Sequence, residues 1–386
     1  GKTYHTGRWP HEPVSFAGLR VAVIGTGSSG IQAIPVIAQE AAHLTVFQRQ
    51  ANFSIPSRNH PMTEDYAQSW KIRYPEKRQE MRYMPNGVLR ELNDKSALEV
   101  TEEERLATYE ERWRIGGSGF LGAFNDILTN SEANATMAEF VHNKIRATVK
   151  NPVTAELLCP KTHPIGTKRL CVDTGYYETY NRPNVELVDI SQTPIERLTT
   201  QGLVVNGREF TFDAIVFATG FDAMTGTLFK VDIRGKAGLA LKQKWATGPR
   251  SYLGLMTADF PNFFMITGPG SPSVKSNMLT SIEQHVDLVA DTILHMRNQE
   301  FSVIEPEAVA EDQWTDHVQE VAYKTLFPQA NSWYMGTNIP GKPKIFMPYI
   351  AGVGRYRRIC EEIIAEGYKG FRFEAGASNR HTNNPG

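Results

Sequence analysis

The sequence is short of most features that would commit a chain to a metal, a disulfide scaffold, a membrane or a polyanion. It has three cysteines, Cys159, Cys171 and Cys360, and no CxxC pair. That usage excludes a zinc ribbon or a redox dithiol and points to a reducing cytoplasm. Its ten histidines are scattered, with no HExxH and no His/Cys grouping, so no metal is expected. The absence of GxSxG removes the hydrolases built on a nucleophile elbow. No apolar run approaches the ~20 residues of a membrane-spanning helix, and the first residues do not read as a signal peptide. Lys and Arg number 41 against 42 Asp and Glu, a net charge of −1, which gives no reason to expect nucleic acid or an anionic membrane surface as a partner. The apolar content of 41% and charged content of 22% are those of an ordinary globular chain, long enough for two or three domains.

What is present is organised around Arg20-Val21-Ala22-Val23-Ile24-Gly25-Thr26-Gly27-Ser28-Ser29-Gly30. The β-branched run at 21–24 reads as a buried strand, and 31–42 (IQAIPVIAQEAA) reads as the helix that follows. A strand, a GxGxxG turn and a helix together form a dinucleotide-binding context. Gly25 makes the tight turn, Gly27 lets backbone N–H groups approach a pyrophosphate, and Gly30 packs helix on strand. The helix N-terminus presents its partial positive charge to the phosphates. The candidate contacts are Thr26, Gly27, Ser28, Ser29, Gly30, Ile31 and Gln32. A further absence selects the nucleotide. The second strand, Leu44-Thr45-Val46-Phe47, runs into Gln48-Arg49-Gln50 with no carboxylate to hold a ribose 2′-OH. The Arg49 fork suits a 2′-phosphate instead, so the spacing predicts NADP(H), with Gln50 beside it.

Beyond the second strand, 56–75 reads as an irregular connection and 78–149 as helical and charged, broken at Gly116-Gly117-Ser118-Gly119. Met137, Phe140, Val141 and Ile145 recur at helical spacing. Lys168-Arg169 follows Gly166, on a loop. Asn184 to Val188 reads as a strand, and 213–217 as an apolar strand ending in Ala218-Thr219-Gly220-Phe221. A helix begins at Asn277, where Leu279, Ile282, Val286, Val289, Ile293 and Met296 make an amphipathic stripe expected to pack in the core. Further helices are expected over 311–326 and 360–368.

The opening Gly1-Lys2-Thr3-Tyr4-His5-Thr6-Gly7-Arg8-Trp9-Pro10 adds GxxxHxxxWP. With the GTGSSG turn close behind, it resembles the fingerprint of the Baeyer–Villiger monooxygenases, FxGxxxHxxxW followed by Pro or Asp. Gly1, His5, Trp9 and Pro10 fall on its positions. HTGRWPHEP, GTGSSGIQ, VFQR and SWYMGTNIPGKP resemble the phenylacetone and steroid members of that family. The resemblance implies an α/β fold with two dinucleotide-binding domains, a Rossmann-like NADP domain with a helical insert plus the C-terminal part of an FAD domain. The expected divisions are a fingerprint linker over 1–16, the NADP domain over 17–60 and 160–220, the insert over 61–159, the FAD-domain part over 221–374 and a disordered tail over 375–386.

The same resemblance implies FAD and NADPH as cofactors, a ketone and O₂ as substrates, and insertion of one oxygen atom beside the carbonyl to give an ester or lactone. It implies that Lys168 joins Arg49 at the 2′-phosphate. Arg169 is expected to face the flavin as the catalytic cation, because a guanidinium stays charged at any working pH and stabilises anions. The family has Pro after this Arg where this sequence has Leu170. Met278 is implied at the flavin, Ser273, Val274, Lys275 and Ser276 along the substrate pocket, and Trp333 as the lid over the nicotinamide nucleotide. Family members carry an earlier GxGxxG for FAD, so the resemblance also implies that these residues are a fragment, inactive alone. Two other readings are an N- or S-oxidising flavin monooxygenase and a non-catalytic NADPH-binding module.

Overall fold

Strand β1 (Lys2–His5) and strand β2 (Arg20–Ile24) lead into helix α1 (Ser28–Glu40) and strand β3 (His43–Gln48). They are followed by β4 (Ser54–Pro56), α2 (Glu64–Lys71), α3 (Tyr74–Met81), α4 (Glu102–Ile115), α5 (Ser131–Thr148) and α6 (Pro152–Leu158). Next come β5 (Cys171–Asp173), α7 (Tyr176–Thr179), β6 (Val185–Asp189), β7 (Ile195–Leu198), β8 (Gly202–Val205), β9 (Arg208–Thr211) and β10 (Ala214–Phe217). The last third holds α8 (Leu241–Lys244), α9 (Met278–Asn298), β11 (Phe301–Pro306), α10 (Ala308–Tyr323), α11 (Val353–Ala365) and β12 (Phe371–Ala375). This is a computed structural model, and it describes residues 1–375. The chain forms two units. The first holds Gly1–Pro61, Glu91–Phe221 and Thr325–Ser332; the second holds Met62–Arg90, Asp222–Lys324 and the described residues from Trp333 to 375.

The first unit is built on a five-stranded parallel sheet in the order β1-β10-β2-β3-β6. Alternation along β2 sends its side chains to opposite faces. Val21 and Val23 pack with Ile31, Ile34 and Ala38 of α1 and with Met137, Val141 and Ile145 of α5. Ala22 and Ile24 pack with Phe47 and with Leu203, Val205 and Phe212, under the antiparallel β7-β8-β9 meander. Both faces are covered, as a parallel sheet requires. The α5 residues read as helical in the sequence are buried as expected.

Several expectations are corrected. The stretch read as a linker over 1–16 supplies β1, an edge strand paired in parallel with β10 from Lys2↔Ala214 to His5↔Phe217. Lys2 and Thr3 are exposed, and the strand's partner β10 lies far along the chain, so no local pattern marks it. The stretch read as one insert, 61–159, is divided, with residues 62–90 in the second unit and the rest in the first. Ala375, read as the start of a tail, closes β12; residues 376–386 of that expected tail lie outside the described residues.

The second unit packs α9, α10, α11 and the antiparallel β11-β12 pair around Leu253, Met256, Leu288, Trp314, Tyr349 and Tyr356. Here the α9 expectation holds only in part: Met296 is buried in this core and Val289 packs against it. Leu279, Val286 and Ile293 of the apolar stripe are 71%, 50% and 51% exposed. Beside Met296, the buried face is made of Thr280, Ser281, Gln284, His285, Leu288 and Thr292. Hydrogen bonds make this possible. Thr280 donates to Gly87 O, Ser281 pairs with Ser276 Oγ, and Thr292 donates to Leu288 O. The helices expected over 311–326 and 360–368 run as α10 and α11, each starting earlier than read.

Candidate nucleotide, flavin and substrate sites

The backbone geometry of the turn after β2 accounts for its three glycines. Gly25 has φ +108°, and a Cβ there would meet Ala218 O at 2.5 Å. A Cβ on Gly30 would lie 2.1 Å from Gly25 O, so only hydrogen lets α1 sit this close to the turn. Gly27 has nothing within 4 Å of a built Cβ, which leaves the outer face open for a ligand. Gly27 is also the N-cap of α1, with no side-chain cap and no acidic residue in the first turn. The first-turn N–H groups of Ser28, Ser29 and Gly30 therefore face an uncapped, anion-seeking end. Buried Thr26 donates to Gln50 O at 2.9 Å and ties the turn to the end of β3. Gln32 reaches Ser28 Oγ at 3.4 Å. Ile31 is placed differently from its expected role. Its side chain is fully buried and its N–H is used by Gly27 O, so it supports the turn from within.

Arg49 is exposed immediately beyond β3, and Lys168 comes to the same place from a loop far along the chain. The Lys168 ammonium donates to Gln50 Oε1 at 2.8 Å. Burial, and then the Arg49 charge, push the Lys168 pKa down. Two cations and an amide thus converge with no carboxylate in ion-pair range among the described residues, which fits a phosphate monoester. His163, which the sequence reading passed over, lies buried beside them. Burial and the Lys168 charge hold its ring at about 3, and its Nε2 has no hydrogen-bond partner.

Arg169 is exposed, while Lys168 beside it is half-buried. Its carbonyl accepts from Asn52 Nδ2 at 3.3 Å. Directly after it, β5 pairs with β4, and buried Asp173 clamps that junction by accepting from Ser54 Oγ at 2.5 Å and Tyr176 N at 2.9 Å. The rigidity that Leu170 does not supply at this point comes from the ladder that follows. Cys171 is a buried free thiol, pushed up to about 11 chiefly by burial.

In the second unit, 271–276 form a tight loop before α9. Ser273 is buried with φ +43°. Ser276 Oγ lies 2.6 Å from both Ser273 O and Ser281 Oγ. Asn277 caps α9 by accepting from Leu279 N at 3.2 Å, and no acid occupies the first turn, which begins with half-exposed Met278. That end of α9 suits an electron-rich ring. Val274 and Lys275 are half-buried, and the Lys275 ammonium sits 4.8 Å from the centre of the Tyr334 ring. Trp333, on a short 3₁₀ turn (Trp333–Met335), packs 4.3 Å from the same tyrosine. Tyr334 thereby joins the 271–276 loop to the Trp333 segment. No helix among the described residues is long and apolar enough to cross a membrane.

No family model matches the chain. It is 41% identical to a Baeyer–Villiger monooxygenase of Pseudooceanicola batsensis over 371 residues, covering 95% of this chain and 67% of that one. It is 40% identical to a cyclohexanone 1,2-monooxygenase of an Acinetobacter species over 386 residues, covering 98% of this chain and 69% of that one. Among solved structures, an oxidized steroid monooxygenase bound to NADP superposes with a TM-score of 0.91 at 50% identity, over 97% of this chain and 71% of that one.

Proposed function

The chain belongs to the Baeyer–Villiger monooxygenase family, and from that premise we propose how its own residues serve the reaction. The protein is an FAD- and NADPH-dependent monooxygenase that inserts one atom of O₂ beside a ketone carbonyl, giving an ester or lactone. When bound, NADPH supplies the hydride and FAD the activation of oxygen.

The backbone at Gly27, Ser28, Ser29 and Gly30 holds the NADPH pyrophosphate, with Thr26 fixing the turn and Gln32 at its rim. Arg49, Gln50 and Lys168 hold the 2′-phosphate. The observation that carries this assignment is the convergence of the two cations with no neutralising carboxylate among the described residues. Arg169 supplies preorganised positive charge to the anions of the oxygen-transfer step. Met278 and the start of α9 face the flavin. Ser273, Val274, Lys275 and Ser276 line the ketone pocket, and Trp333 covers the nucleotide and keeps water out. The three buried free thiols support a cytoplasmic location.

The test is cofactor discrimination. In Arg49→Ala and Lys168→Ala, kcat/KM with NADPH should fall on the order of 10²-fold, as for loss of a charge-assisted contact, while NADH values change little. Equal losses with both cofactors would remove the 2′-phosphate assignment.

A further inference from the structure

In the second unit the chain turns outward after Met335, through buried Gly336 and half-buried residues 337–339, and comes back at Ile345. The two ends are joined by Ile345 N donating to Met335 O at 3.2 Å and Met347 N donating to Tyr334 O at 2.9 Å. Gly336 and Gly341, at φ +73° and +79°, turn the excursion. Lys342 reaches out of it. Its ammonium pairs with the Asp222 carboxylate and donates to Thr225 Oγ1 at 2.6 Å. The pair is largely shielded, with 16% of the Lys342 side chain and 33% of the Asp222 side chain accessible, and Thr225 is 1% exposed. Asp222 is held from behind as well, because a Cβ on Gly226 would lie 2.6 Å from its carboxyl carbon. The carboxylate is thus fixed in a tight turn, directly after the Ala218-Thr219-Gly220-Phe221 segment, where the chain enters the second unit. A shielded pair with one member prefixed loses less entropy on forming than an exposed pair of two long side chains.

We propose that Lys342 and Asp222 are positioning residues whose ion pair holds the loop 336–344, and with it Trp333 at its base, in the arrangement that receives the nucleotide. The functional meaning of the latch rests on the reading of Trp333 as the nucleotide lid. Without the pair the loop samples other arrangements, and NADPH binding must restore order to it. The cost falls on NADPH capture and leaves the chemical step unchanged once the nucleotide is in place.

The experiment uses the flavin-loaded protein with Lys342→Met, Asp222→Asn, the double variant and Lys342→Arg. Protease cleavage within 336–344 is timed without nucleotide by mass spectrometry, and KM and kcat for NADPH are measured on the same samples. Each single variant should be cleaved about tenfold faster, the double no faster than either single, and Lys342→Arg close to the parent. The KM for NADPH should rise about threefold or more in the two single variants with kcat kept. Cleavage at the parental rate in both single variants, or additive effects in the double, overturns the latch. Faster cleavage with an unchanged KM for NADPH overturns instead the lid reading of Trp333 and leaves the latch standing. Thr225→Val, which removes a hydrogen bond and keeps the charges, should be cleaved at an intermediate rate, so the conclusion does not depend on Lys342→Met folding.

Discussion

Gly27 and Gly30 lie in one turn and should answer the same substitution in opposite ways. A Cβ on Gly30 collides with a backbone oxygen at 2.1 Å, and backbone cannot swing aside as a side-chain tip can. Gly30→Ala should therefore cost about 3 kcal/mol of stability, in the range of overpacking, read as a lowered denaturation midpoint. Gly27 has an ordinary φ of −83° and an open outer face. Gly27→Ala should leave stability within ~0.5 kcal/mol yet raise the KM for NADPH on the order of tenfold, because the new methyl stands where the pyrophosphate must approach. Arg49 and Lys168 add a test that needs no mutation. Arg49 is exposed, so its attraction for a 2′-phosphate is screened by salt. KM for NADPH should climb with ionic strength, and KM for NADH should stay nearly flat. A parallel climb for both would locate the salt effect elsewhere.

At the scale of elements, the buried polar face of α9 gives the second unit a pH dependence. Thr267 N donates to His285 Nδ1 at 3.0 Å, which leaves Nε2 to carry the proton toward Tyr356 OH at 2.8 Å. Burial holds this ring at about 4, below its unfolded value near 6.5. The unfolded chain thus takes up a proton before the folded one does. The stabilisation is complete above pH ~6.5 and is lost as pH falls toward 4, by about 3 kcal/mol. His285→Gln, which cannot titrate, should flatten the denaturation midpoint over that window; an unchanged slope would show that His285 is not its source. This element also shows where sequence reading runs out. The β2–turn–α1 unit was legible because its strand, its glycines and its helix are consecutive. Met137, Phe140, Val141 and Ile145 of α5 were legible because the buried face of that helix is apolar. The buried face of α9 was not, since period alone sends Leu279 and Val286 inward and cannot register that Thr280, Ser281 and His285 have partners there. Strand β1 hid because its partner is more than two hundred residues away. The pairing of Lys342 with Asp222 hid for the same reason, as two ordinary charges 120 positions apart.

At the scale of the whole molecule, the chain builds two units with separate cores, and NADPH is assigned mainly to the first. A ligand that binds only the folded state stabilises it by mass action, about 2.7 kcal/mol at a concentration one hundred times Kd. NADP⁺ should raise the melting temperature of the protein more than NAD⁺ does at equal concentration, and Arg49→Ala should abolish the difference. The central claim is that this molecule inserts oxygen into a carbon–carbon bond. Its most direct test supplies the flavin-loaded protein with NADPH, cyclohexanone as probe and ¹⁸O₂, and follows products by mass spectrometry. The account predicts a lactone carrying one ¹⁸O atom, formed in step with NADPH consumed, and lost in Arg169→Ala. NADPH consumption that yields only hydrogen peroxide across a panel of ketones, or oxygen delivered only to amines and thioethers, would contradict it.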